Sequence, residues 1–333
     1  MSKVQQLQVA EDEVDVRLDR WFKRHFPALN HGRLEKLLRT GQVRVDGGRA
    51  KANQRLAPGQ VVRVPPLGEG ADKHEVPEGK STAPKAKITP HDVSYVKAMV
   101  IYKDKDLIAL NKPSGLAVQG GTGTTRHLDG LLEGLKFDLP EKPKLVHRLD
   151  RDTSGVMIVA RTAASAAALS KSFQSRDMTK IYWALVMGYP EHEAGTISAK
   201  LAKSGGPGRE RMEWDDEEGK KAITDYRVVA TAGRKITWLE LMPHTGRTHQ
   251  LRAHCKLIHT PIIGDHKYTD PSPHADQQVD LRDGALAEIA DRLCLHARLL
   301  TIPRGKQPLT LEAPLPKHMA AAFKTLGFAE SDA

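Results

Sequence analysis

The chain of 333 residues has only two cysteines, Cys255 and Cys294, far apart and without a CxxC pair. A disulfide framework and a cysteine-built zinc site are therefore excluded, and both thiols read as small buried hydrophobes. Aromatic residues make up 5% of the chain. No apolar run approaches the roughly 20 residues a helix needs to cross a bilayer, so no membrane span is expected. The opening Met1-Ser2-Lys3-Val4-Gln5-Gln6 runs into acidic residues between 11 and 15 and lacks the apolar core of a secretory signal, so a cytoplasmic protein is expected. His244, His249, His254 and His259 recur every five residues. That step turns about 140° on a helix and alternates faces on a strand, so the four cannot share one face and no metal site is expected. Gly120-Gly121-Thr122-Gly123 is not followed by the GxxxxGK pattern of a phosphate loop, and no nucleotide or other cofactor is indicated.

What the chain does have is positive charge: 51 Lys and Arg against 41 Asp and Glu, a net +10. Residues 1–66 alone hold 13 basic and 7 acidic residues, so the surface for a polyanionic partner should begin there. Within that stretch, Val16, Leu18, Trp21 and Phe22, then Leu34, Leu37 and Leu38, recur at helical spacing, interrupted by Pro27 and an Asn30-His31-Gly32 turn. Two short helices follow, the second capped by Gly41. A strand from Val43 then enters a tight hairpin at Asp46-Gly47-Gly48, and a second strand spans Val61–Val64. Arg33, Lys36, Arg39 and Arg44 fall on or beside the second helix, away from its leucine stripe, and make one basic face. Residues 66–95 are rich in Pro, Gly, Lys, Glu and Ser and read as a flexible linker. Residues 96–326 alternate strands and turns with a few helices, which makes one α+β catalytic domain, and 327–333 form a tail.

The first chemical anchor is His147-Arg148-Leu149-Asp150-Arg151-Asp152-Thr153-Ser154-Gly155, which feeds directly into the apolar strand Val156–Ala160. A polar turn at the end of a buried strand holds side chains rigidly while leaving them open to a cleft. Asp152 fits an Asx-type turn. Asp150 stands between Arg148 and Arg151, whose charges favour an ionised carboxylate.

Two resemblances follow. Residues 14–65, through Arg17-Leu18-Asp19-Arg20-Trp21, Leu34 to Gly47 and Arg55 to Val62, resemble the RNA-binding domain shared with ribosomal protein S-four. This resemblance implies docking on structured RNA through Arg17, Arg33, Lys36, Arg39 and Arg44, mainly by shape and phosphate contacts. The His147-Arg148-Leu149-Asp150-x-x-Thr153-Ser154-Gly155 run resembles the signature of the RluA family of pseudouridine synthases. Leu110 to Gly115, Lys180-x-Tyr182-x-Ala184-x-Val186-x-Gly188, Pro243 to His254, Leu295-His296-Ala297 and Ala313 to Pro316 agree with it in order and spacing.

Several expectations are carried over from that family. The fold would have a central mixed, mainly antiparallel sheet with flanking helices, preceded by the small α/β RNA-binding domain. Asp150 would act on the target nucleoside. Tyr182 would stack beneath the flipped base and assist proton removal from carbon 5, and Arg247 would pair with Asp150. Arg148 would fill the gap left by the extruded base, with His147, Arg151 and Arg252 also facing RNA. Isomerising uridine breaks the bond from the anomeric carbon to nitrogen 1 and rejoins the ring through carbon 5, without redox, metal or phosphoryl donor. A covalent or a glycal route remains open. The loop Ala117–Gly123 and Arg151-Asp152 look most like the C-type enzymes, which modify several uridines of large-subunit (23S) ribosomal RNA. A D-type synthase acting on another helix of that RNA, or a non-catalytic ribosome-assembly factor, are the alternatives. The expected partner is ribosomal RNA, with the protein a monomer.

Overall fold

The computed structural model describes residues 4–67, 88–120, 126–175, 177–206, 211–269, 291–305 and 307–333. Most of the expected linker, and parts of the loops after Gly120 and Ser204, lie outside these residues. The chain divides into two units, Met1–Lys87 and Ile88–Ala333.

In the first unit, helix α1 (Leu18–His25) and helix α2 (His31–Arg39) cover a four-stranded sheet. Its strands are β1 (Gln5–Gln8), β2 (Arg44–Val45), β3 (Gly48–Arg49) and β4 (Val61–Val64), in the order β1-β4-β2-β3. α1 ends two residues before Pro27, and its core face places Leu18, Trp21 and Phe22 in the interior. Asn30-His31-Gly32, expected as a turn, is the start of α2. The Asn30 side chain accepts from the Arg33 N–H at 2.9 Å as an N-cap, and that bond turns the dipeptide after it into the first helical residues. Asp46 and Gly47 both have positive φ (50° and 76°), the combination of a two-residue type I′ hairpin. Beneath α1 lies a polar contact that apolar periodicity does not report. Buried Glu13 accepts from Trp21 Nε1 at 2.8 Å and faces His25 Nε2 at 2.6 Å. Although burial opposes it, these donors hold the Glu13 carboxyl below its ordinary value.

The second unit opens with helix α3 (Pro90–Lys97), so residues 90–95, expected in the linker, are ordered helix. The reason is local: Thr89 and Asp92 form a reciprocal capping box and Pro90 occupies the first turn. Among the described residues, eleven strands then build one sheet. They are β5 (Val100–Lys103), β6 (Leu107–Lys112), β7 (Lys144–Leu145), β8 (Ser154–Ala160), β9 (Thr179–Met187), β10 (Ala194–Ser204), β11 (Arg211–Trp214), β12 (Lys220–Ala232), β13 (Ile236–Pro243), β14 (Leu295–Ile302) and β15 (Leu309–Glu312). The order is β11-β10-β12-β13-β9-β14-β8-β6-β5, with β15 on β14 and β7 on β8. Helices α4 (Leu128–Leu131), α5 (Ala163–Ser175), α6 (Gln250–Leu257) and α7 (Lys317–Leu326) accompany it. The expected α+β fold with a mixed, mainly antiparallel sheet is the one observed. Residues after α7, expected as a tail, pack back instead: Phe328 lies against the Trp238–Phe323 cluster, and Glu330 pairs with Arg298 at 2.7 Å.

The parallel seam of the sheet is β8 against β14, where Ala297 faces Gly155. A Cβ on Gly155 would stand 2.2 Å from the Ala297 carbonyl oxygen, and its φ is +111°, so only glycine fits here. Beside it, buried His296 closes the seam. Its Nε2 donates to the Ala313 carbonyl at 3.1 Å, which leaves Nδ1 to accept from Ser154 Oγ at 2.9 Å. Burial depresses His296 and His254 to about 4. Their unfolded counterparts take up a proton near 6.5, so between 6.5 and 4 the unfolded chain binds more protons than the folded one. Stability should fall with pH across that window, by at most about 1.4 kcal/mol per pH unit per histidine. Urea midpoints at pH 7 and pH 5 test this: the drop should be smaller in a His296→Gln chain than in the wild type.

Candidate active site

Asp150 lies on the turn between β7 and β8, and each residue around it is tied to a different element. Leu149 is buried in the core beneath α4, so the alternation of the turn leaves Arg148 and Asp150 on the open side. His147 Nε2 accepts from the Ile158 N–H of β8 at 2.9 Å, and its ring stacks on Phe173 of α5 at 4.3 Å. Burial, with the nearby Lys180 charge, pushes His147 down to about 3, so it is a neutral scaffold ring in the cavity wall. From the side, the Lys112 ammonium donates to the carbonyls of Pro113, Leu116 and Arg151, each at 2.9 Å. Ser114 Oγ donates to the Asp152 carbonyl at 2.7 Å. The Asn111-Lys112-Pro113-Ser114-Gly115 motif is thus the clamp of the Asp150 turn.

The turn opens onto a cavity of about 520 Å³ whose lining includes Arg148, Asp150, Lys180, Tyr182, Arg247 and His249. The Asp150 side chain is 20% exposed. Tyr182, on β9, is half-buried between two core clusters. Burial, reinforced by the Asp150 carboxylate, raises its phenol far above the ordinary value, so the hydroxyl stays protonated. One carboxylate among several cations, with an aromatic ring in the same lining, makes a site that attracts a polyanion and can hold a flat heterocycle against Tyr182.

Other expected site residues are placed differently. Arg247 lines the cavity, but its Nε donates to the Lys221 carbonyl at 3.2 Å. Among the described residues, the basic group nearest to pairing with Asp150 is His249, Nε2 to Oδ2 at 4.0 Å. Arg252 also lines the cavity, yet its guanidinium is a buried fork on Asp265, at 2.7 and 2.6 Å, because α6 turns it inward. Arg151 lies outside the cavity lining, where it donates to the Gly115 carbonyl at 3.2 Å. In the first unit, Arg33, Lys36 and Arg39 project from α2 into solvent. Arg44 is spent on the carbonyls of Gly41 and Gly47, and Arg17 is paired with Asp19. Asp265 and Tyr268 carry no motif spacing. They reach the site only because the turn after Gly264 folds back beneath α6, and sequence reasoning gave no signal for them.

The family model described as RNA pseudouridylate synthase matches residues 106–257. RNA pseudouridine synthase 4, mitochondrial, of Arabidopsis thaliana is 34% identical over an alignment covering 92% of this chain and 78% of that protein. Ribosomal large subunit pseudouridine synthase C of Vibrio cholerae is 33% identical, covering 97% and 96%. Among solved structures, human RNA Pseudouridylate Synthase Domain Containing 4 superposes with a TM-score of 0.59 at 29% identity, covering 71% of this chain and 97% of that one. The chain belongs to the RNA pseudouridylate synthase family, of the RluA type. It is an isomerase whose class of reaction converts uridine to pseudouridine.

The Arg252–Asp265 pair gives a stability test. Removing one member of a buried ion pair leaves the other charge unsolvated, at a cost of about 3–5 kcal/mol. Asp265→Ala should lower the unfolding free energy of the second unit by that amount in chemical denaturation, and the double variant with Arg252→Met should recover much of it.

Proposed function

We propose that this chain isomerises uridines to pseudouridine in large-subunit ribosomal RNA, with Asp150 as the group that engages the sugar of the target nucleotide. The observation that carries this reading is that Asp150 and Tyr182 share one cavity rimmed by Arg148, Lys180 and Arg247. The target uridine has to leave its stack to reach Asp150, at a cost of a few kcal/mol, and a cavity floored by an aromatic ring recovers part of it. Tyr182 is that floor. Its protonated phenol suits stacking and hydrogen bonding better than service as a standing base for the carbon 5 proton. Arg148 fits the rim position from which a side chain enters the helix after extrusion. Arg247 is poised to exchange the Lys221 carbonyl for a phosphate or for Asp150. His147 and Arg252 take supporting roles, and Arg151 sits at the edge where flanking RNA would pass.

Relatives named ribosomal large subunit pseudouridine synthase C align over nearly the whole chain, which favours the C-type target over the D-type alternative. The exposed face of α2, with Arg33, Lys36 and Arg39, suits the phosphates of a structured RNA element. The reaction as read transfers no electrons and no phosphoryl group, so Asp150 needs no nucleotide or metal beside it.

Forming the carbon–carbon bond expels the hydrogen on carbon 5, so tritium placed there is released to solvent. Wild-type protein should release tritium from in vitro transcribed large-subunit ribosomal RNA. Asp150→Asn should release none while binding the RNA with unchanged affinity, and carbodiimide-dependent primer extension should locate the modified positions. Binding without release by the wild type would instead favour the assembly-factor reading. Replacing Arg33, Lys36 and Arg39 together by Gln should weaken RNA binding and flatten the log–log salt dependence by about 2–3, if each contacts one phosphate. Filter binding across a salt series checks it.

A further inference from the structure

We propose that His249 is a positioning residue for the Asp150 carboxylate, its Nε2–H aimed at Asp150 because the Tyr268 hydroxyl occupies Nδ1. The proposal rests on the reading that Asp150 acts on the substrate.

His249 is the residue before α6, in the left-handed region at φ 50° and ψ 21°. Among non-glycine residues that conformation is uncommon, and histidine is one of those that adopt it. What it achieves is visible in the contacts. The imidazole lies between Tyr268 and Asp150, with Nδ1 at 3.1 Å from the Tyr268 hydroxyl and Nε2 at 4.0 Å from Asp150 Oδ2. The tautomer follows from hydrogen-bond accounting. Tyr268 is 2% exposed, and its hydroxyl oxygen already accepts from the Met212 N–H at 2.7 Å. The buried hydroxyl proton therefore needs an acceptor, and His249 Nδ1 is the one within reach. The ring proton is then on Nε2, the nitrogen that faces the carboxylate.

Tyr268 is itself fixed. The Arg252 guanidinium lies 5.1 Å over its ring, and Asp265, forked by Arg252, accepts from the Tyr268 N–H at 3.3 Å. The ionisable groups facing His249 are Asp150 on the β7–β8 turn, Arg252 on α6, and Asp265, Lys267 and Tyr268 on the following turn. Burial, helped by Arg252 and Lys267 and opposed by Asp150 and Asp265, lowers the His249 pKa, so a neutral imidazole presents this donor. A neutral donor orients a carboxylate without cancelling its charge. A cation would orient it too, but would blunt it as a base or nucleophile. The 4.0 Å separation exceeds a hydrogen bond and closes with a small rotation of either side chain, as contacts in unliganded sites do when substrate arrives.

The test uses tritium release from large-subunit ribosomal RNA by four full-length variants. His249→Asn tolerates the left-handed backbone but cannot reach Asp150. His249→Gln can reach it with an amide N–H, Tyr268→Phe removes only the hydroxyl, and Asp150→Asn is the control for the underlying reading. His249→Asn should lower kcat about 10- to 100-fold with KM within about threefold, as loss of orientation does. His249→Gln should restore much of that loss, and Tyr268→Phe should show a smaller loss in the same direction. In the Asn and Phe variants the acid limb of the kcat profile should move to higher pH, since a donor facing a carboxylate favours its ionised form. The inference fails if His249→Asn keeps the wild-type kcat and pH profile. It fails equally if Asn and Gln lose activity alike with the acid limb unmoved, or if only KM changes. Should His249→Asn not fold, the Gln and Phe variants decide by the same criteria. An inert Asp150→Asn beside a wild-type-like His249→Asn sinks this inference alone, whereas an active Asp150→Asn sinks the reading beneath it.

Discussion

A fully buried ammonium holds the centre of the catalytic unit. Lys112 has no exposed surface, and its three N–H groups go to three backbone carbonyls, two from the loop that follows β6 and one from the turn that carries Asp150. Desolvation lowers it to about 7, against the attraction of Asp152 and Asp150. Three carbonyl acceptors at 2.9 Å match the geometry of a protonated amine, and an apolar replacement would leave all three buried and unpaired. The two loops are consequently one body, and Asp150 inherits the rigidity of β6 as well as of β8.

The sheet then decides what Asp150 can meet. Ala297 of β14 faces Gly155 on one side and Tyr182 on the other, so the end of β8 and the aromatic floor are a single strand apart. Leu241 of β13 faces Tyr182 in turn, and two residues beyond it β13 ends at Pro243, where the Thr245–Gln250 turn begins. Gln250 fastens that turn. Its Oε1 accepts from the Arg247 N–H and the Thr245 hydroxyl, and its Nε2 donates to Ile223 and Thr224 of β12. Segments about a hundred residues apart in sequence are thus brought to one cavity by strand register, and a glycine at 155 is what lets the central three strands close.

Legibility in the sequence followed the range of each interaction. Both helices of the first unit, the Asp46-Gly47 hairpin, the α+β class of the second unit and the catalytic strand after Asp150 were readable, because each rests on local spacing or on a contiguous motif. Strand β1 was missed, since Gln5-Gln6-Leu7-Gln8 has almost no apolar pattern of its own and is a strand only by pairing with β4. The order of the residues in the site was readable, but their partners were not. Arg252 sits in a motif that suggests RNA, yet a carboxylate 13 positions downstream claims it, and Arg247 is drawn to a carbonyl of β12 that no spacing rule relates to it. Side-chain pairing across distant elements depends on tertiary register, which a single sequence encodes but does not display.

The same electrostatic layout serves capture and chemistry. Arg148, Lys180 and Arg247 line the wall of the cavity, while His249, 4.0 Å from Asp150, is a neutral imidazole and Tyr182, in the same lining, is a protonated phenol. Cations placed at the rim raise the local concentration of RNA and are partly neutralised by its backbone on binding. Buried Arg252, three residues after His249, is forked by Asp265. The fold therefore places the Asp150 carboxylate in a cavity whose wall carries Arg148, Lys180 and Arg247, with the buried Lys112 ammonium attracting it. On the reading proposed above, that layout lets one cavity bind a polyanion and present a carboxylate to the sugar of one nucleotide.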